Sequence, residues 1–177
     1  MTTGIVLTGG ASRRMGADKA FVVVDGRPMA VAVADALWEG GCHPVECQGG
    51  DVEQLASLGL AAAADSRPGD GPVAAIVDAL ERAGSDIVVA ACDLPELDGD
   101  TVRSLTAVRE APAAYARTGD RAHLVSAWSA GALSALRRLV DDGPASYRAA
   151  LEEVGAVAVD VDPARVRNVN EPDDLAP

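Results

Sequence analysis

The sequence predicts an α/β fold: three layers, with a mostly parallel central sheet and helices on both faces. Three observations predict it. Apolar runs of strand length alternate with amphipathic stretches of helix length along the whole chain. The run DIVVAAC (86–92) is apolar without polar alternation, as a strand buried on both faces of a parallel sheet must be. The stretch GPVAAIVDALERAG (71–84) sets Val73, Ile76, Val77 and Leu80 on one helical face, which can cover such a sheet.

The elements follow in order. GIVLT (4–8) reads as a buried first strand. PMAVAVADALWEGG (28–41) reads as a helix, with Pro28 in its first turn and Gly40-Gly41 at its end. HPVECQG is a second strand and 51–58 a short helix. LAAAAD (60–65) suits either state: alanine favours helix, while its brevity and the following loop favour strand. Pro72 opens the 71–84 helix and Gly84 closes it. DIVVAAC belongs at the centre of the sheet. Residues 99–110 read as helix, AAYAR and HLVSAW as shorter strands, 130–141 and 146–154 as helices, and AVAVDV as the last strand. NVNEPDDLAP forms the tail. SRPGDG (66–71) is the loosest segment and reads as an active-site loop.

Composition narrows the function. The 177 residues suit one domain, spanning 1–177. Of these, 49% are apolar, yet only two tryptophans, two tyrosines and one phenylalanine are present, so the core is built from small aliphatic side chains. A formal net charge of −12 argues against a nucleic-acid or anionic-membrane partner. It leaves room for a small anionic ligand at a local basic site. Cys42, Cys47 and Cys92 are odd in number and irregular in spacing, and read as buried or half-buried thiols rather than a disulfide or zinc framework. No signal peptide or spanning segment is visible, which points to a soluble, cytoplasmic protein.

Against that acidic background, TGGASRRMGADK (8–19) gathers Arg13, Arg14 and Lys19 beside Gly9-Gly10. Glycines let backbone N–H groups approach a ligand, and successive N–H groups form an anion-binding nest. Arginine forks and a lysine point charge then suit a triphosphate. The stretch is neither a Walker loop, since Gly16 precedes Ala17-Asp18-Lys19, nor a G-x-G-x-x-G turn. A surface turn with solvated charges is the other reading. Asp93, in VVAACDLPEL, stands where the most buried strand leaves the sheet. A carboxylate there can hold Mg²⁺ against phosphate oxygens; a turn or cap aspartate is the plainer alternative. Asn168 and Asn170, before Pro172, suit either ligand hydrogen bonds or a turn.

These same residues carry a resemblance. LTGGASRRMGADKA resembles the signature L-[AT]-G-G-x-S-x-R-M-G-x-D-K of molybdenum cofactor nucleotidyltransferases, most of all the guanylyltransferase (MobA-type) branch. DSRPGDGPVAAI resembles that family's D…GPLAGI segment, CDLPEL its CDxPxL, and NVNEPDDL its NxNTPEDL, in the family's order from residue 4 to 175. The resemblance implies a Rossmann-like nucleotidyltransferase fold. It implies transfer of GMP from GTP to molybdopterin cofactor, with Mg²⁺ as cofactor and pyrophosphate as by-product. By motif position, Leu7, Thr8, Gly9 and Gly10 would approach the nucleotide. Arg14 and Lys19 would contact phosphates, Asp65 and Gly71 would lie near guanine or ribose, and Asp93 would hold the metal. Asn168 and Asn170 would face the pterin or complete the metal site, and Arg148 would serve the pterin side. Molybdoenzymes or their chaperones are the partners the resemblance implies.

The chain departs from the pattern at several points. Ala75 replaces the glycine of GPLAG, where a methyl could crowd a base. Leu124 replaces the proline usual after the family's histidine, which marks His123 as structural. VECQGG lacks the asparagine often found after the second strand, and Glu171 replaces the threonine of NxNTP. Three alternatives therefore stand beside the guanylyltransferase: a cytidylyltransferase of the same superfamily, a transferase acting on another phosphorylated small molecule, and a non-catalytic nucleotide- or pterin-binding module. Gly9-Gly10 and the two tail asparagines favour guanine over cytosine.

Overall fold

The computed structural model describes residues 1–9, 19–169 and 174. Nine strands are present among these residues: β1 (Thr3–Leu7), β2 (Val23–Val24), β3 (Arg27–Pro28), β4 (Val45–Gln48), β5 (Ala62–Ala63), β6 (Ile87–Ala91), β7 (Ala113–Thr118), β8 (Arg121–Trp128) and β9 (Val157–Asp160). The helices are α1 (Met29–Glu39), α2 (Val52–Ser57), α3 (Pro72–Ala83), α4 (Gly99–Thr106), α5 (Leu133–Asp141) and α6 (Tyr147–Glu153). Seven strands form the main sheet in the order β5-β4-β1-β6-β8-β7-β9, which puts β6 in the middle, as its unbroken apolar run predicts.

Alternation along the two central strands creates the three layers. Val6, Val88 and Ala90 face one side, where they pack with Val33 and Leu37 of α1 and Val102 and Leu105 of α4. Ile5, Leu7, Ile87 and Val89 face the other, against Val73, Ile76 and Leu80 of α3, Leu136 of α5 and Leu151 of α6. Both faces are covered, so neither central strand can carry a polar residue without burying it. The sequence supplies only Thr3, at the start of β1, and it is buried. The four apolar positions read on the 71–84 stretch are the buried stripe of α3, and Gly84 ends that helix in a left-handed conformation, φ 59°.

The right-hand part of the sheet is less parallel than the rest. β1 runs parallel to β4 and β6, and β4 to β5. β8, however, is antiparallel to both β6 and β7. The cause is local: only Gly119-Asp120 separates β7 from β8, and a two-residue connection can join antiparallel strands alone. β9 then returns parallel to β7. A second small sheet, β2 with β3, is one that strand periodicity could not show because each strand has two residues. Its signal is Asp25-Gly26, both at positive φ, the turn chemistry of a tight hairpin. LAAAAD resolves to the two-residue edge strand β5. The 130–141 stretch begins as a 3-10 turn over Ala130–Ala132 before α5.

All three cysteines are buried and unpaired with one another. Burial pushes the Cys42 thiol up to about 11 and the Cys47 thiol up to about 12, the Glu46 carboxylate adding to the latter, so both stay protonated near neutrality. Among the described residues, no helix is long and apolar enough to cross a membrane.

Asp98 anchors α4, which in turn covers one face of the sheet. Its carboxylate accepts from the Thr101 backbone N–H at 2.9 Å and pairs with Arg165 at 3.1 Å. Partial burial opposes ionisation of Asp98, but the Thr101 hydrogen bonds and the Arg165 and Arg103 guanidiniums outweigh it and lower its pKa. Asp98→Ala should cost about 1 kcal/mol in urea unfolding at neutral pH. A depressed folded pKa stabilises above the unfolded value of 3.8 and loses that contribution as pH falls through the folded value. The gap between wild type and variant should therefore hold from neutrality down to about pH 5 and shrink below about pH 4.

Candidate active site

In open parallel sheets, ligands sit beyond the carboxyl ends of the strands. Here those ends open onto a cavity of about 410 Å³. β1 and the residue pair after it contribute Leu7 and Gly9, β4 contributes Gln48, the segment after β5 contributes Asp65, and β6 leads into Cys92 and Asp93. Lys19 enters from the far end of the basic segment. The 66–71 loop supplies Arg67, Gly69 and Gly71, as its looseness predicts, and Pro72 and Ala75 bring the N-terminus of α3 to the wall. A helix N-terminus carries partial positive charge and favours an anion nearby.

Asp93 is where separate segments converge. Its Oδ2 lies 3.4 Å from Lys19 Nζ, and its Oδ1 accepts from Asn168 Nδ2 at 2.9 Å. Its backbone carbonyl accepts from the Val169 N–H at 2.9 Å. Asn168 Oδ1 in turn accepts from Arg121 at 3.1 Å, which fixes the amide's orientation. The tail asparagine thus reaches the end of the central strand. The donor set suits Mg²⁺: this ion keeps several waters and binds through one or two carboxylates together with substrate phosphates. One carboxylate facing a roomy cavity, beside a lysine able to pair with phosphate, has that chemistry.

Asp65 lies in the same wall as Asp93. Its Oδ1 accepts from Gln48 Nε2 at 3.0 Å. Its Oδ2 rests against Gly9 and Gly49: a Cβ added at Gly9 would collide with this oxygen, and one at Gly49 would lie 2.5 Å from it. Glycine at position 9 thus makes room for a carboxylate. Its N–H is engaged by the Gln48 carbonyl at 3.2 Å, so Gly9 does not contribute the first donor of an anion nest. Thr8 also turns away from the cavity. It is buried, and its hydroxyl donates to the Gly49 carbonyl at 2.8 Å, pinning β1 to the turn after β4.

Other expected residues fall elsewhere. Arg148 is exposed, pairs with Glu152 at 2.9 Å one helical turn on, and does not belong to the cavity wall. Gly10, Arg13, Arg14, Asn170 and Glu171 lie outside the described residues. His123 is buried and shares a 2.7 Å hydrogen bond with Thr118. Burial, then the nearby Arg121, lowers its pKa, consistent with the structural role its Leu124 neighbour implies. Both Ala75 and Leu124 line the cavity, so two departures from the family pattern are residues a ligand would meet. Gln48 and Arg67 were not singled out by sequence. The signal for Gln48 is a long polar side chain at the carboxyl end of a buried strand; Arg67 carries none beyond its place in the 66–71 loop.

A sheet of this order, with a lysine, a carboxylate and a helix N-terminus around a cavity at its strand ends, has the layout of an α/β nucleotidyltransferase. Residues 4–157 match the family described as MobA-like NTP transferase domain, and the chain belongs to that family. A molybdenum cofactor guanylyltransferase of Cereibacter sphaeroides is 32% identical over 98% of this chain and 93% of its own. Another, from Rhodobacter capsulatus, is 34% identical over 98% of this chain and 92% of its own. The solved molybdopterin-guanine dinucleotide biosynthesis protein A of Archaeoglobus fulgidus superposes with a TM-score of 0.80 at 24% identity, over 98% and 95% of the two chains. A 4-diphosphocytidyl-2C-methyl-D-erythritol synthase from Anaerococcus prevotii shares the fold at a TM-score of 0.76 and 9% identity, over 99% and 92%. The fold therefore does not choose the base.

Gly9→Ala tests the steric role of that glycine. The nearest colliding atom is the far end of the Asp65 side chain, so the fold should survive, while displacing a carboxylate held by buried Gln48 should cost about 1 kcal/mol in urea unfolding. A crystal structure of the variant should show the Asp65 carboxylate displaced from Gln48 Nε2.

Proposed function

We propose that this chain is a cytoplasmic, Mg²⁺-dependent guanylyltransferase that moves GMP from GTP to molybdopterin cofactor. The observation that carries this reading is the convergence of Lys19, Asp93 and Asn168 at the end of the central strand, over a cavity that also holds Asp65. The names of the guanylyltransferase relatives support the choice of substrates.

The chemistry asks for positioning and charge rather than a protein nucleophile. A phosphate oxygen of the acceptor forms a bond to the α-phosphorus of GTP. The bond from that phosphorus to the bridging oxygen breaks, and pyrophosphate leaves with the electron pair. Lys19 exchanges its 3.4 Å contact with Asp93 for the triphosphate as GTP enters. Arg14 adds a second cation on the phosphates. Asp93 would hold Mg²⁺, which would offset the negative charge of the phosphates. Asp65 and Gly71 face the guanine or ribose. Asn168, and with it Asn170, orients the acceptor or completes the metal site. The product then passes to molybdoenzymes or their chaperones.

The direct assay mixes the purified protein with Mg²⁺, molybdopterin cofactor and either GTP or CTP, and measures pyrophosphate. Release with GTP alone is expected. Release with CTP alone would overturn the base, and bound nucleotide without release would make the chain a binding module. Asp93→Asn should lower turnover by about 10²-fold or more, the usual scale for losing a charge-stabilising group, with the unfolding midpoint retained. Lys19→Ala should raise the GTP dissociation constant about tenfold, equivalent to about 1.4 kcal/mol; an unchanged constant would remove Lys19 from the phosphate site.

A further inference from the structure

Gln48 has no exposed surface, yet it adjoins the cavity and every polar atom of its side chain is engaged. Its Nε2 donates to Asp65 Oδ1 at 3.0 Å and to the Ala64 carbonyl at 3.1 Å. Its Oε1 accepts from Arg82 at 2.6 Å. Arg82, in the last turn of α3, also pairs with Glu46 at 3.3 Å. A side-chain amide can turn end for end at little intrinsic cost. Here a guanidinium, which can only donate, faces one end, and a carboxylate and a carbonyl, which can only accept, face the other. One orientation satisfies all of them. The reverse would set two donors together at one end and three acceptors at the other, all in a buried place where unmade hydrogen bonds are costly.

We propose that Gln48, locked by Arg82, is the positioning residue that fixes the Asp65 carboxylate in the nucleotide site. This rests on the reading of the cavity as a nucleotide site. Arg82 does not line the cavity, and its effect passes through the amide. Gln48 holds Oδ1 of Asp65 from one side, while the glycines at 9 and 49 seat Oδ2. The carboxylate is thereby presented as an acceptor of fixed direction. The ligand group that meets it must be a donor, an N–H of the base or an O–H of the sugar, and a nucleoside lacking that donor is disfavoured. Loss of the lock loosens ground-state binding more than it slows the chemical step.

The test uses Arg82→Met, which removes the donor, and Arg82→Lys, which keeps one. Arg82 is partly exposed, so both variants should fold. Two readouts are taken: hydrogen exchange of the Gln48 side-chain amide by NMR in the free protein, and KM and kcat for GTP at saturating acceptor. In Arg82→Met the amide should lose protection and KM should rise by about fivefold, the effect of one hydrogen bond, with kcat within about twofold of wild type. Arg82→Lys should stay within about twofold on both constants, because its ammonium still donates to Oε1. An unchanged KM in Arg82→Met, a fall in kcat alone, or an amide that stays protected without Arg82 would each overturn the proposal. Loss of amide protection in Arg82→Met beside a wild type that turns over no GTP would instead contradict the transferase reading and leave the lock standing.

Discussion

A single carboxylate, that of Asp93, ties the working parts of this protein together. It sits two residues beyond Ala91, where the central strand β6 ends, and its place is set by the packing of the whole sheet. Lys19 approaches one of its oxygens at 3.4 Å and Asn168 the other at 2.9 Å. A carboxylate that is mostly shielded from water needs donors, and this one recruits them from segments 74 and 75 residues away in sequence. The hydrogen bond from Val169 to the Asp93 carbonyl holds the approach to the tail in the same place. This carboxylate gives the end of the basic segment and the tail one shared polar partner at the end of β6.

A second constraint, steric rather than electrostatic, shapes the cavity wall around Asp65. The glycine after Thr8 is needed because Asp65 Oδ2 occupies the space a side chain would fill. Gln48 then fixes the other oxygen. The two carboxylates of the cavity wall are thus held by different means. Asp93 is met by a lysine ammonium that a phosphate can compete for, while Asp65 is held by the amide of a buried glutamine. This difference suits one group to exchange partners with an incoming anion and the other to read a fixed donor. Elsewhere the charges do less. The ion pairs Arg27–Asp35, Arg67–Asp141 and Arg148–Glu152 are exposed, where water screens them and each contributes little.

Much of this was legible in the sequence because it is written locally. DIVVAAC marks a strand buried on both faces, and the Val73–Leu80 stripe marks a covering helix. GGASRRMGADK marks cations against an acidic background. What escaped is written in pairs of distant residues. The hairpin of β2 and β3 is too short for periodicity, and only Asp25-Gly26 signals it. The antiparallel turn of β8 follows from the two residues between it and β7, a matter of connection length rather than composition. Gly9 lines the cavity, but nothing local reveals that Asp65 fills the space beside it. Gln48 shows in the sequence only as a polar side chain at the end of a strand, because its role depends on Arg82, 34 residues away. Arg148 resembled a ligand residue by motif position, yet its helix turns it to solvent and Glu152.

The most direct test of the Asp93 account is a crystal structure with GTP and Mn²⁺ in place of Mg²⁺, the metal located by its anomalous scattering. The account predicts a metal peak bonded to the Asp93 carboxylate and to phosphate oxygens, with Lys19 drawn away from Asp93 onto the triphosphate. A seated nucleotide whose metal lies away from Asp93, with the Lys19–Asp93 contact unbroken, would contradict it.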